Sequence, residues 1–134
     1  MSDVMDATRD GMRRAIEAVI AERQRQEAKW GPQDHPMVGL TARRGFVSPR
    51  VACVRLGILG ADEARERCDR AHRNNEGTYA HIFVEEAAEF VEACVIHGET
   101  SDEARAEMVQ VAAVALAMLE AIDRKRATAS EVAK

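Results

Sequence analysis

The residues of this chain best suited to chemistry are glutamates that recur in two neighbouring segments. Glu85, Glu86 and Glu89 lie in a segment with the pattern of an amphipathic helix, and Glu107 lies in the next such segment. An anion buried without a partner is strongly unfavourable. Acids on the packed side of a helix therefore indicate either a counter-ion or a bound cation.

A helical wheel separates these acids by direction, because successive residues of a helix are about 100° apart. The predicted apolar face is formed by Tyr79, Phe83, Ala87, Phe90 and Cys94. Glu86 falls at the edge of this face, Glu89 lies about 60° further round, and Glu85 is further out still. In the next helix, Glu107 is in line with Val111, Val114 and Met118, so it points towards the packed side.

Three carboxylates that meet in a core repel one another, which raises their pKa values. A divalent cation removes this repulsion, and a ligand set made only of oxygens favours Mg²⁺ or Mn²⁺ over zinc. Salt bridges to Arg23, Arg25 or Arg105 are the alternative, since glutamate-rich helices are common and usually solvated. The spacing alone leaves both interpretations open.

The apolar periodicity of the whole chain predicts an all-α fold, a bundle of about four to five helices. The clearest helices are expected over residues 8–29, 62–72 and 79–97. Thr78 has the position of an N-cap and Gly98 that of a C-terminal stop. The sequence Thr100-Ser-Asp-Glu103 has the form of a capping box and opens a long helix to about residue 126, beyond which the tail is expected to fray.

Residues 31–60 are different, because they contain all three prolines and five of the eight glycines. Within them, residues 51–59 could form a short strand or a helix, and the periodicity does not decide between the two. A loop of this length in a compact domain is often functional.

The length of 134 residues suits one domain, residues 1–134, with a core over about residues 8–126 and flexible termini. The last helix is apolar on every side between Val111 and Leu119. Such a helix must be covered on all faces. We therefore expect oligomerisation, as a homodimer or a homotetramer, to complete the core.

Composition argues against several classes of partner. The net charge of −4 offers no large basic field to nucleic acid or to an anionic membrane. The longest apolar run is far too short to span a bilayer. Cys53, Cys68 and Cys94 form neither a zinc pattern nor a disulfide framework, and no signal peptide is visible, so a cytoplasmic location is expected.

The order of the acidic motifs resembles that of the all-α nucleoside triphosphate pyrophosphohydrolases, the MazG-like superfamily. The family pattern is E-x-x-E, a variable gap and E-x-x-D, and this chain has Glu85-Glu86-x-x-Glu89 followed by Glu107-x-x-Gln110. The segment Trp30-Gly-Pro-Gln33-Asp-His35 is similar to a Trp…Gln-x-His segment in parts of the superfamily. Residues 107–115 are similar to the last core helix of its small members. The resemblance covers roughly residues 15–123.

The resemblance implies hydrolysis of a nucleoside triphosphate to the monophosphate and pyrophosphate, with Mg²⁺, or Mn²⁺ in its place, as the cofactor. Carried over by position, the metal ligands are Glu86, Glu89, Glu107 and Gln110. The catalytic role falls to Glu85 and Glu86, with Glu85 holding a second ion or orienting the attacking water. The sequence departs from the family at Gln110, where the usual aspartate is replaced by a neutral amide.

Nucleotide recognition is expected from the upstream segment. Trp30 would stack on a nucleobase, with Gln33 and His35 reading its edge, and Lys29 would contact phosphate. The alternative is that Trp30 closes the end of the first helix and His35 is an ordinary loop residue. At the level of the whole chain, two alternatives to an enzyme remain. One is a non-catalytic helical module that binds nucleotide or a protein, and the other is a purely structural oligomerisation domain.

Overall fold

The computed structural model describes residues 2–39 and 47–133, together with the side chains of residues 3–39 and 47–133. Within these ranges the chain is all-α, with five helices and no strand. The all-α prediction is therefore confirmed. Residues 40–46 of the expected long loop lie outside the described part. The helices are α1 (Ser2–Trp30), α2 (Pro49–Arg55), α3 (Ala61–Arg73), α4 (Tyr79–His97) and α5 (Asp102–Val132).

The undecided segment at residues 51–59 contributes a short helix, not a strand. Pro49 lies in the first turn of α2, where its missing N–H leaves no hydrogen bond unmade. Ser48 precedes it as the N-cap, and the Ser48 hydroxyl accepts a hydrogen bond from the backbone N–H of Val51 at 3.2 Å. The Ser-Pro pair is thus the local signal that favours a helix at this position.

The caps of α4 agree with the sequence, whereas the start of α5 differs by one residue. Thr78 accepts a hydrogen bond from His81 N–H, and Gly98 with a φ of 107° ends α4. At α5, the Ser101 hydroxyl accepts from Ala104 N–H at 3.0 Å, so the N-cap is Ser101 and not Thr100. The helix then continues to Val132, so fraying from residue 127 is not seen.

The helices are grouped into two compact units, Met1–His35 with Ala115–Lys134, and Pro36–Val114. In the second unit, α4 packs against both α2 and α3. Ala52 and Cys53 of α2 and Ala88 of α4 are 0 % exposed. Such small side chains allow helix backbones to approach closely, and this contact forms the centre of the unit's core.

The buried face of α4 differs from the face predicted on the wheel. Tyr79 and Phe83 are 40 % and 37 % exposed, whereas the buried residues are Ala88, Val91, Ala93, Cys94 and Val95. The wheel gives weight to large apolar side chains, but α2 and α3 pack where the side chains of α4 are small. The predicted face is therefore wrong for Tyr79 and Phe83 and right for Cys94.

Residues 111–119 of α5 are partly or fully exposed in the single chain. A single chain does not test whether a second subunit covers them, so the predicted oligomer stays a prediction. Among the helices of the described ranges, none is long and apolar enough to cross a membrane.

Glu99, between α4 and α5, forms hydrogen bonds with the backbone of the loop that precedes α2. The Glu99 carboxylate accepts hydrogen bonds from the backbone N–H groups of Val38 at 3.0 Å and Gly39 at 2.9 Å. Hydrogen bonds to a charged group are each worth about 1.5–3 kcal/mol in a favourable site. These hydrogen bonds hold the pKa of Glu99 below its ordinary value of 4.5, and the bond from Val38 has the larger effect.

We expect Glu99→Gln to lower the free energy of unfolding by about 1–2 kcal/mol at neutral pH. A lowered pKa in the folded state gives stability that is present above the ordinary pKa and lost as the pH falls through the folded-state pKa. The difference between variant and parent should therefore shrink on acidification. Urea denaturation at about pH 7 and about pH 4 measures it. The exposed Glu131→Gln serves as the control, and a difference independent of pH would contradict the assignment.

Candidate metal centre

The candidate centre lies in the second unit, where α4 supplies Glu86 and Glu89 and α5 supplies Glu107. One carboxylate oxygen from each of the three lies within 4.8 Å of the other two, and all three residues are partly buried. This triad could hold a metal ion. The wheel places Glu86 at the edge of the packed face, Glu89 beside it, and Glu107 on the packed side of its own helix, and the three acids lie together in the structure.

The electrostatics of the triad are unfavourable without a cation. Burial raises the pKa of Glu86, and the charges of Glu89, Glu107 and Glu85 raise it further. Burial also raises the pKa of Glu107, with Glu89 adding to the effect and Arg65 opposing it. The Oε2 atoms of Glu86 and Glu107 are buried and accept no hydrogen bond. Two unsatisfied carboxylate oxygens are thus held beside a third acid.

The donor set fits a divalent cation. Mg²⁺ binds oxygen at about 2.0–2.1 Å, so oxygens on opposite sides of one ion are about 4.2 Å apart. The separation of up to 4.8 Å in the triad is only slightly wider. The unpartnered Oε2 atoms of Glu86 and Glu107 are the acceptors that such an ion would satisfy.

Arg65 of α3 is the basic residue that faces the acids. Its Nη2 atom lies 2.8 Å from Glu89 Oε1, and its Nε atom lies 3.5 Å from Glu85 Oε1. The sequence suggests Arg23, Arg25 or Arg105 instead, and these are not the observed partners. Of these, Arg25 pairs with Glu22 inside α1. Arg65 borders the buried stripe of its own helix, but Arg67 borders the other side of that stripe in the same way, so the sequence does not single Arg65 out.

Glu85 is less exposed than the wheel indicates. The side chain of Glu85 is 18 % exposed, close to the 20 % of Glu89, because α3 packs over this side of α4. Its position beside Arg65 makes it part of the same group of acids.

Glu92 is a residue that the sequence reasoning missed. The Glu92 carboxylate accepts a short hydrogen bond from the backbone N–H of Ala61, at the start of α3. Gly60, the N-cap of α3, has no side chain to do this. The Cys53 thiol also donates to Glu92, at 3.9 Å. The signal in the sequence is the spacing of Glu85, Glu89 and Glu92, which places them along one side of α4.

The remaining predicted residues are all exposed, and their exposure does not test their expected roles. Gln110 is exposed on α5, one turn after Glu107. Trp30, Gln33 and His35 are exposed and belong to the first unit, as does Lys29, whose Nζ lies 4.7 Å from the centre of the Trp30 ring. Their expected roles in metal and nucleotide binding therefore stay predictions.

Comparisons with protein-family models, with curated proteins and with solved structures find no match to this chain. Over the described residues, the chain is an all-α protein of five helices, and three of its glutamates could hold a metal ion.

Proposed function

We propose that this chain is a Mg²⁺-dependent nucleoside triphosphate pyrophosphohydrolase of the MazG-like type, which converts a ribo- or deoxyribonucleoside triphosphate to the monophosphate and pyrophosphate. The observation that carries the proposal is the convergence of Glu86, Glu89 and Glu107, with buried carboxylate oxygens that lack a partner. The order of the E-x-x-E and E-x-x-Q motifs in the sequence supports the same function.

In this function Glu86, Glu89 and Glu107 would hold the cation, with the amide oxygen of Gln110 as a neutral fourth ligand. Mg²⁺, or Mn²⁺ in its place, would supply positive charge to offset that of the triphosphate and of the leaving pyrophosphate. Water attacks the α-phosphorus, the bond from that phosphorus to the bridging oxygen breaks, and pyrophosphate leaves. Glu85 orients the water and accepts its proton, for which it must lie within hydrogen-bonding reach of the attacking oxygen.

Trp30, Gln33, His35 and Lys29 are proposed to bind the nucleotide. A tryptophan offers a flat surface on which a base can stack, and Lys29 supplies a positive charge for phosphate. A homodimer or a homotetramer is the proposed working form. Met108 and Val109 of α5, which are 40 % and 53 % exposed, are among the apolar side chains that a second subunit would cover.

The test is a panel of ribo- and deoxyribonucleoside triphosphates, each incubated with Mg²⁺ or Mn²⁺ and purified protein at high concentration. We expect release of pyrophosphate and monophosphate in equal amounts from at least one of them. The Glu86→Gln, Glu89→Gln double variant should release neither, and the exposed Glu131→Gln variant should match the parent. If the parent protein releases pyrophosphate from none of the nucleotides, the proposal is wrong.

The alternative is a non-catalytic module that binds nucleotide or a protein partner, and the observation that favours it is Gln110. A neutral ligand weakens the site for Mg²⁺ relative to a carboxylate. The variant Gln110→Asp restores the charge. If the parent is inactive on the whole panel and Gln110→Asp hydrolyses a nucleotide, the non-catalytic module is the better description of this chain.

A further inference from the structure

Arg65 is the one charged side chain of α3 that contacts acids of α4, among the ion pairs of the described residues. Its guanidinium spans two carboxylates that are one helical turn apart, with Nη2 at Glu89 and Nε at Glu85. Its Nη1 atom lies 3.4 Å from Asp62 of its own helix. Nη2 and Nη1 donate hydrogen bonds to Glu89 and Asp62, whereas Nε forms an ion pair with Glu85.

The contact with Glu89 fixes one oxygen of a residue that also belongs to the triad. Arg65 binds Oε1 of Glu89, and the carboxylate of Glu89 lies within the cluster formed with Glu86 and Glu107. A carboxylate that is free to rotate has to be ordered when a cation binds, at a cost in side-chain entropy. A carboxylate already held by a guanidinium avoids much of this cost.

A second contact between α3 and α4 lies close to Arg65. Glu92 accepts a hydrogen bond from Ala61 N–H, one turn before Arg65. The side of α4 that carries Glu85, Glu89 and Glu92 is thus joined to α3 at two neighbouring points. Arg65 is half-exposed at 49 %, but both carboxylates that it spans on α4 are largely buried.

We propose that Arg65 is a positioning residue of the metal centre, which holds Glu89 in the orientation needed for cation binding and keeps Glu85 beside it. The proposal rests on the proposed function, since it gives Arg65 a role at that same site. The fork of a guanidinium is essential to the role, because the single ammonium of a lysine cannot span two carboxylates in this fixed geometry. The charge of Arg65 alone acts in the opposite direction, because it repels a cation.

The opposition between geometry and charge makes the proposal testable with two substitutions. Arg65→Lys keeps the charge and loses the fork, and Arg65→Gln loses both. If positioning dominates, both variants bind Mn²⁺ about 10- to 100-fold more weakly than the parent, the range expected for partners of metal ligands. If repulsion dominates, Arg65→Gln binds more tightly and Arg65→Lys is unchanged, and this result would overturn the proposal.

Isothermal titration calorimetry with Mn²⁺ alone measures these affinities without any need for hydrolysis. The matched control is Arg67→Gln, which removes an exposed arginine of the same helix that pairs only with Glu63 in α3 and should leave the affinity unchanged. Circular dichroism of the metal-free variants sets a titration temperature well below unfolding, so that loss of fold is not read as loss of affinity. Equal affinities for parent and Arg65→Lys would contradict the positioning role of Arg65 but leave the metal centre in place. A parent that binds no Mn²⁺ would contradict the metal centre itself.

Discussion

Replacing Glu86 with glutamine is expected to abolish the proposed nucleotide hydrolysis and, at the same time, to stabilise the metal-free protein. The activity should fall by about a hundredfold or more, the scale on which catalytic carboxylates contribute. The stability should rise because Oε2 of Glu86 is buried without a hydrogen bond, close to two other acids. Relief of about 1 kcal/mol corresponds to an increase of about 2–6 °C in the unfolding temperature for a chain of this size.

The effect on stability should depend on pH with a defined sign. Burial, and then the neighbouring acids, raises the pKa of Glu86 above its ordinary value of 4.5. The favourable contribution of the protonated carboxyl is full below the ordinary pKa and is lost as the pH rises through the folded-state pKa. The advantage of Glu86→Gln over the parent should therefore be largest above the folded-state pKa and vanish in acid. The effect of Glu99→Gln also shrinks in acid, but it is a loss of stability and not a gain.

Thermal denaturation in the presence of a chelator, and again with Mg²⁺, measures both halves of this prediction. The parent should gain stability on adding Mg²⁺, because a ligand that binds only the folded state stabilises it. Glu86→Gln should gain little, and Glu131→Gln should behave as the parent. A metal-free Glu86→Gln protein that unfolds at a lower temperature than the parent would mean that this carboxylate has a stabilising partner.

Ala88→Leu is expected to destabilise the protein by about 2–3 kcal/mol. Ala88 is 0 % exposed, and its carbonyl lies 3.7 Å from the sulfur of Cys53 on α2. Ala52 and Cys53 on the facing helix are also fully buried, so the larger side chain has no space without moving α2 away from α4. This is the largest loss of stability that we expect from a single substitution in the second unit.

Urea denaturation of Ala88→Leu checks this expectation, with Ala80→Leu as the control. Ala80 lies on the same helix but is exposed, so the same change there should alter the free energy of unfolding by less than about 0.5 kcal/mol. If the two variants are equally stable, the contact between α2 and α4 is not close-packed at Ala88.

The sequence predicts α4 closely because both of its ends carry strong local signals. Thr78 and Gly98 bound α4, and each acts through the backbone beside it, with no contribution from distant residues. The inward direction of Glu86 and of Glu107, each on its own helix, could also be predicted, because a helix repeats with a fixed period. A seven-residue helix such as α2 is too short for its period to be distinguished from that of a strand.

Other features could not be predicted, because they depend on which helices meet. The buried side of α4 is set by α2 and α3, and large side chains such as Tyr79 and Phe83 are left outside this contact. The pairing of Arg65 with Glu89 joins residues on two helices, and nothing local distinguishes Arg65 from the other arginines of α3. The role of Glu92 as the cap of a neighbouring helix is a tertiary contact of the same kind.

The burial of Cys53 between α2 and α4 makes its thiol a natural reporter of local opening. Burial first, and the charge of Glu92 second, raises the pKa of Cys53 to about 11. Because the thiolate is the reactive form, an alkylating reagent has almost nothing to attack while the two helices remain in contact. The rate of modification of Cys53 therefore measures how often α2 separates from α4, an equilibrium that is otherwise accessible mainly through hydrogen exchange.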